Sequence, residues 1–447
     1  MKHKALTILS LALILSCDSL FHEDIDNYIV LDNDQEVLDI LNGIYAQLAR
    51  VYDQYYFEAL CRADDINLYQ FYNFEASLYT SGCGHSVTHD YAPNYDNIYY
   101  PLYKIILGAN SAIPQLSGEE DPSILGEFYF LRAYAYYTLA RFFGNPHIVT
   151  DIDVSYTLER PTYEEVYEFI EEDIKRALEL LPGSYTHVRI RGETPHAGMA
   201  KALLAEVYLS WAGFPIRDNT KYQLAALYSG DVLNSEGSTG FGLLDDYASL
   251  WKSENKFNKE TVFGLFYDFS NPATRNNIGF MFVGRDFFDS SLHVSSEYNP
   301  EFMFFDAMPL SYRKSCCFPA NTMTLDPLRN PCGFIGGVHS CKWVDTIEYL
   351  ENELSLENEP YTPHFSGYGT SGTLYLLRYG QTLLTFSEAR ARSGILDDST
   401  YKALNMIRRR ANGVDPYSPS VYDLSQGLSR EQFIDSVVWE RAWELNF

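Results

Sequence analysis

Between Thr162 and Gly183 the chain reads TYEEVYEFIEEDIKRALELLPG, a pattern that suits a helix and little else. Its apolar residues Tyr163, Val166, Tyr167, Ile170, Ile174, Ala177, Leu178 and Leu181 recur at helical spacing, so they share one helical face. On a strand they would scatter over both faces. Thr162 and Glu165 supply a capping box, and Pro182-Gly183 ends the segment. A second helix is predicted from the cap residue Thr194 and Pro195 in the first turn. It carries Ala200, Leu203, Leu204, Val207, Tyr208 and Trp211 inward and stops near Gly213. Its small residues Ala197, Gly198, Ala202 and Ala205 let a neighbouring helix come close. The same periodicity predicts helices over about 34–50, 95–116, 122–143, 219–234, 373–393, 399–411 and 430–446. Short turns across 95–234 imply antiparallel pairs stacked side by side. AYAYYTLARFFG, AKALLAEVYLSWAG and LLTFSEARARSG each end a small-residue-rich helix at glycine, a degenerate tetratricopeptide-like repeat.

The first residues address the compartment. Lys2 and Lys4 precede an apolar run, Ala5 to Leu15, that is too short to span a bilayer and reads as a signal peptide. Ile14-Leu15-Ser16-Cys17 resembles a bacterial lipobox, with Cys17 as the acylated mature N-terminus. Several acyl chains on one cysteine give a stable anchor. Asp18, Glu23, Asp24 and Asp26 then form an acidic tether, similar to a surface-export signal. The expected organisation is residues 1–17 as signal and lipobox, 18–33 as tether, and 34–447 as one domain.

Within that domain, 34–60, 95–234 and 373–447 read as helical scaffold. The stretches 61–94 and 235–372 lose helical periodicity and gain glycine, proline, asparagine and aromatics. Long irregular stretches on a rigid scaffold tend to carry function. The chain is strongly acidic, with a net charge of −27, or −29 once Lys2 and Lys4 leave with the signal. Such a surface repels phosphate backbones, so nucleic acid is excluded as a partner. Tyrosine outnumbers phenylalanine, 36 to 28, with 5 tryptophans. Tyrosine can lie on a surface and still donate a hydrogen bond. Beyond Cys17 the cysteines are Cys61, Cys83, Cys316, Cys317, Cys332 and Cys341, an even set that permits disulfides in an exported protein. Spacing does not choose among the pairings, and Cys332 with Cys341 makes the favoured short loop.

Several blocks, taken in order, resemble the SusD/RagB outer-membrane lipoproteins. FLRAYAYYTLARFFGNPHIV (130–149) is similar to an arginine-alanine-aromatic helix ending in a glycine-x-proline turn. ERPTYEEVYEFIEEDIKRALELLP (159–182) and HAGMAKALLAEVYLSWAG (196–213) resemble the next two helices, and Leu243 through Trp251 to KETVFGLF (259–266) a loop and first strand. LRYGQTLLTFSEARARSG (377–394), LNMIRRRAN (404–412) and VVWERAWEL (437–445) resemble the C-terminal blocks. The resemblance implies a mainly α fold: a scaffold of tetratricopeptide-like helical pairs, a loop-rich and aromatic-rich cap, and minor β structure. It also implies a non-enzymatic, lipid-anchored protein exposed at the outer membrane. Such a protein hands oligosaccharides, or in some members peptides, to a TonB-dependent SusC-like transporter. In the family a further arginine-tryptophan and aspartate-leucine segment follows the last block, so more chain is expected beyond Phe447.

Catalytic and cofactor motifs are weak. Gly367-Tyr368-Gly369-Thr370-Ser371-Gly372 matches a dinucleotide fingerprint formally, but the preceding residues 358–363 make a poor strand. No cofactor is therefore expected. Cys83, His85 and His89 lie close together without an evident fourth metal ligand, so no metal is expected either. Acidic runs such as Glu119-Glu120-Asp121 and Glu171-Glu172-Asp173 read as solvated surface. A carbohydrate site needs an aromatic platform beside planar polar groups. Asp64, Asp65 and Asn67 with Tyr69, Phe71 and Tyr72 supply both, and Trp343 and Tyr368 complete the expected ligand surface. Where the family presents a tryptophan before the 95–116 helix, this chain has Tyr91-Ala92-Pro93-Asn94-Tyr95, which leans toward peptide cargo. A third alternative is a surface adhesin or protein scaffold with no small ligand.

Overall fold

The computed structural model describes residues 34–52, 65–68, 92–116, 122–152, 158–268, 298–318 and 372–446. Helices α1 (Asp34–Val51), α2 (Ala92–Ala112), α3 (Pro122–Phe143), α4 (Tyr163–Leu180), α5 (Ala197–Ala212) and α6 (Lys221–Leu233) form a series in which each packs on the next. A one-turn helix, α7 (Glu236–Thr239), lies against α5 and α6. The series resumes much later in the chain. Helix α10 (Tyr379–Arg392) packs on α5 and α6, and α11 (Asp398–Ala411) and α12 (Arg430–Glu444) close on α10. The short helices α8 (Phe302–Ala307) and α9 (Tyr312–Cys317) lie between the two halves of the series in sequence.

One continuous core runs from Val37 on α1 to Val437 on α12. Helix α4 is amphipathic as its spacing requires: Val166, Tyr167, Ile170, Ile174 and Ala177 are buried. The capping box is present, with Thr162 accepting from the Glu165 N–H and the Glu165 carboxylate accepting from the Thr162 N–H. Helix α3 is buried on almost every side, which explains why FLRAYAYYTLA carries so little charge. Its single buried arginine ties three helices together. Arg132 makes a two-pronged ion pair with Asp173 on α4, at 2.8 and 2.7 Å, and donates to the Asn110 side-chain oxygen on α2 at 2.7 Å.

The start of α5 differs from the expected Thr194-Pro195 cap. The N-cap is His196, whose Nδ1 accepts from the Gly198 N–H at 3.1 Å, while Thr194 Oγ1 accepts instead from the Ile190 N–H. Burial, helped by the nearby Arg191 charge, pushes the His196 imidazole down to about 4. It is therefore neutral and able to accept. The small-residue face does what its composition implies: a Cβ at Gly198 would sit 2.4 Å from Thr239 Cγ2, so only glycine allows α7 to approach so closely.

A second departure concerns 373–378, which the periodicity assigned to the helix beginning at 373. Those residues form strand β4 (Thr373–Arg378), and α10 starts only at Tyr379. The cause is not local. β4 pairs antiparallel with β2 (Thr261–Phe266), from Phe266 opposite Thr373 to Thr261 opposite Arg378. TLYLLR is apolar enough to suit either state, and a partner strand far away in sequence decides between them. The expected first strand at 259–266 is present as β2.

Candidate functional site

Two further strands lie in the stretches expected to be irregular. β1 (Ile66–Leu68) and β3 (Tyr298–Pro300) pair antiparallel, with Ile66 opposite Pro300, Asn67 opposite Asn299 and Leu68 opposite Tyr298. Each is three residues long, too short for an alternating pattern to announce it. The pairing fixes part of the early irregular stretch against part of the later one. Asp65, the residue before β1, accepts the Glu301 N–H on its carbonyl at 2.8 Å, which extends the clasp by one bond.

Of the expected ligand residues, Asp65 is half-buried beside this clasp and Asn67 lies within β1. Asp64, Tyr69, Tyr72, Trp343 and Tyr368 lie outside the described residues, as do Cys17, Cys83, His85, His89 and the Cys332–Cys341 pair. Sequence reasoning passed over the residues directly after β3. Glu301 caps α8 by accepting the Phe304 N–H at 2.9 Å, and Phe302 and Met303 in its first turn are exposed. The run FMFF reads as core; only Phe304 is buried.

The base on which this region rests is built from a small core and a buried ion network. Tyr247, Leu250, Met308, Cys317 and Phe318 form the core, with Trp251, Phe305, Tyr375 and Trp443 packed round it. Phe305 meets Phe318 edge to face at 4.8 Å, and Trp251 meets Tyr375 in the same way at 5.8 Å. Lys314 folds its ammonium back onto the carbonyls of Phe305 at 2.6 Å and Met308 at 2.8 Å, satisfying the end of α8. Burial pushes the Lys314 amine down from its ordinary value.

Beneath lies Glu444, fully buried near the end of α12. Its carboxylate accepts from Arg313 on α9 at 2.7 Å, from Arg378 at the end of β4 at 2.6 Å, and from Arg410 on α11 at 2.6 Å. Glu260, just before β2, pairs with Arg378 at 3.1 Å and with Arg410. Glu440 completes the set, 2.7 Å from Arg313 and 3.3 Å from Arg408. Burial alone would push the Glu444 carboxyl up. The charges of Arg410, Arg378 and Arg313 outweigh it and hold the carboxyl well below the usual range. The roof of this network is Gly380, where a Cβ would lie 2.9 Å from an Arg378 nitrogen and 3.0 Å from Glu260 Oε1. This arrangement holds charge in place. Its groups are paired with one another and not aimed at a solvent-filled cleft, which suits joining elements better than proton transfer.

Among the described residues no group of three or more histidine, cysteine or acidic side chains is arranged to hold a metal. No described helix is long and apolar enough to cross a membrane.

The comparisons agree with this architecture. A family model described as "Starch-binding associating with outer membrane" matches residues 22–209, and the "SusD family" model matches residues 337–447. SusD-like protein P2 of Formosa agariphila is 24% identical over 379 residues, covering 77% of this chain and 68% of that protein. A solved SusD homolog from Bacteroides thetaiotaomicron superposes with a TM-score of 0.74 at 22% identity, over 95% of this chain and 86% of its own. Surface glycan-binding protein A from Bacteroides fluxus superposes with a TM-score of 0.68 at 19% identity, over 93% of this chain and 87% of its own. The family models bracket the chain, and the helical series with its return through β4 has the same fold as these relatives: the chain belongs to the SusD/RagB family.

Proposed function

We propose that this protein is a cell-surface lipoprotein, anchored through Cys17, that captures oligosaccharides and delivers them to a TonB-dependent outer-membrane transporter. The carrying observation is the pair of family matches, at 22–209 and 337–447, on a scaffold shared with a surface glycan-binding protein. The region next to the β1–β3 clasp is the capture surface, a cap formed from 61–94 and 235–372. Asp64, Asp65 and Asn67 supply planar polar groups there. Tyr69, Tyr72, Trp343 and Tyr368 supply flat apolar faces for sugar rings. Its role is binding without bond cleavage, and the ion network beneath supports it by holding the cap to the scaffold.

The test is a glycan array probed with the soluble chain beginning after Cys17, run beside a peptide library. Selective glycan binding supports the proposal and names the sugar class. Binding to peptides alone replaces oligosaccharide by peptide as cargo. Binding to neither, together with capture of a surface protein, turns the reading to a protein scaffold.

A further inference from the structure

Away from the clasp, an open cavity of about 420 Å³ lies where the end of α5, the turn after it, the start of α6 and α10 meet. Its size is in the range of small-ligand sites. The chain leaves α5 at Gly213 and reaches α6 through Arg217, which holds a left-handed backbone with φ 63. For an arginine that conformation is costly, and such residues collect at functional turns. Phe214 is 81% exposed at the rim, and the Arg217 guanidinium lies over its ring at 5.5 Å. Across the cavity Tyr222 carries the Arg392 guanidinium at 5.5 Å from its ring.

The charges here are unequal. Glu388, the one acidic lining residue, is engaged on both oxygens, by Arg392 at 2.8 Å and by Arg441 at 3.2 Å. Asp218, just outside, is turned into its own loop and accepts from Thr220 at 3.0 and 2.6 Å. Among the described residues nothing hydrogen-bonds the Arg217 guanidinium, the terminal nitrogens of Arg392, the Tyr222 hydroxyl or the Asn219 amide. Two guanidinium groups with donors to spare thus face one cavity, on a chain whose net charge is −27. An exposed phenyl ring stands beside them.

We propose that this cavity is a second saccharide site that takes sugar units bearing a carboxylate or sulfate. The sugar's apolar face lies on Phe214, its anionic group accepts from Arg217 and Arg392, and its hydroxyls meet Tyr222 and Asn219. Guanidinium forks match planar or tetrahedral oxyanions better than neutral hydroxyls do. The choice of a sugar as ligand rests on the glycan-binding reading above. The preference for an anion rests on the cavity alone.

The experiment is calorimetric titration of the soluble chain with trigalacturonate, a sulfated galactose trisaccharide, neutral galactotriose and tetra-aspartate. It is repeated with Phe214→Ala and Arg217→Ala, whose exposed side chains leave folding intact, as melting curves will verify. Removing one charge-assisted contact or the stacking ring is expected to weaken binding about tenfold. The neutral sugar should bind at least tenfold more weakly than the anionic ones, and the difference should shrink as salt rises. The carboxylated and sulfated arms show which oxyanion is preferred. Equal affinity for charged and neutral sugars, or anionic binding unchanged in both variants, overturns the proposal. Tetra-aspartate binding as tightly as trigalacturonate overturns the assignment to sugars. If array glycans still bind while both variants behave like the parent, only this site fails. If trigalacturonate binds through Phe214 and Arg217 but no array glycan engages the cap residues, the capture-and-delivery reading fails and this site stands.

Discussion

Replacing Glu444 by glutamine removes one negative charge from beneath three buried guanidinium groups while keeping the side chain's shape. Arg313, Arg378 and Arg410 are each within 2.7 Å of its carboxylate, and Glu260 and Glu440 remain to balance them. Breaking a buried ion pair from one side costs about 3–5 kcal/mol, because the remaining charge stays desolvated without its partner. Unfolding entropy of about 2.1 cal/mol/K per residue gives a chain of this length roughly 0.9 kcal/mol/K, so the melting temperature should fall by about 3–5 °C. The pH dependence gives an independent check. The folded carboxyl titrates well below its unfolded value of about 4.3, so its contribution is fully present above that pH and is lost as pH falls through the folded value. The stability gap between parent and Glu444→Gln, measured by urea denaturation, should therefore be flat from pH 7 to 5. It should narrow below pH 4. Hydrogen exchange should also quicken in 298–318, which Arg313 ties to α12. A gap under about 0.5 kcal/mol, typical of surface substitutions, would refute the argument. So would a gap that widens on acidification.

Arg132→Lys keeps the charge but loses the fork that grips Asp173 and reaches Asn110, and should cost about 1–3 kcal/mol of stability in denaturant titration. Gly198→Ala should cost about 1–3 kcal/mol by driving a methyl group into Thr239 and the capping His196 ring, and the double variant with Thr239→Ser should recover only the part due to Thr239. If the capture surface is as proposed, alanine at Tyr69, Tyr72 or Trp343 should weaken binding of an array-identified glycan by about 1–3 kcal/mol, by analogy with bases stacked on aromatic rings, at unchanged melting temperature. Full affinity in all three variants would remove those residues from the site. Cys17→Ser should abolish labelling by radioactive palmitate in cells, and labelling that persists would place the anchor elsewhere.

The helical half of the molecule was legible because its signals are local. The Thr162–Glu165 box, the inward stripe of α4 and the small residues of α5 all act within a few positions, and the fold uses each of them. What failed to show in the sequence depends on distant partners. TLYLLR carries no mark separating it from the helix it precedes until β2 is beside it. The histidine cap of α5 displaced a better-looking threonine because Thr194 is engaged by Ile190. The final block ERAWEL resembles a family motif, but its last glutamate acquires meaning only when arginines from 313, 378 and 410 converge on it. The clasp at Asp65 and Asn67 is of the same kind: one expected ligand residue precedes, and another lies within, a pairing that neither segment announces alone. The exposed pair Phe302 and Met303 stayed hidden because an apolar run says nothing about which of its members face water.

The β2–β4 pairing has a bearing on how such proteins diverge. The chain leaves the scaffold at Phe266 and re-enters opposite it at Thr373, so the ends of the intervening segment are held together whatever lies between. The entropy of closing a loop grows only with the logarithm of its length, about 0.6 kcal/mol for each doubling. Insertions and deletions outside 298–318, which Arg313 ties to α12, are nearly neutral for the helices on either side. A lineage can therefore vary the stretches on either side of 298–318 as ligands change, while 298–318 itself stays under selection with α12 through Arg313 and the small core around Met308, Cys317 and Phe318. Within a set of relatives, length variation should concentrate between these two strands and be scarce in the turns that join consecutive helices.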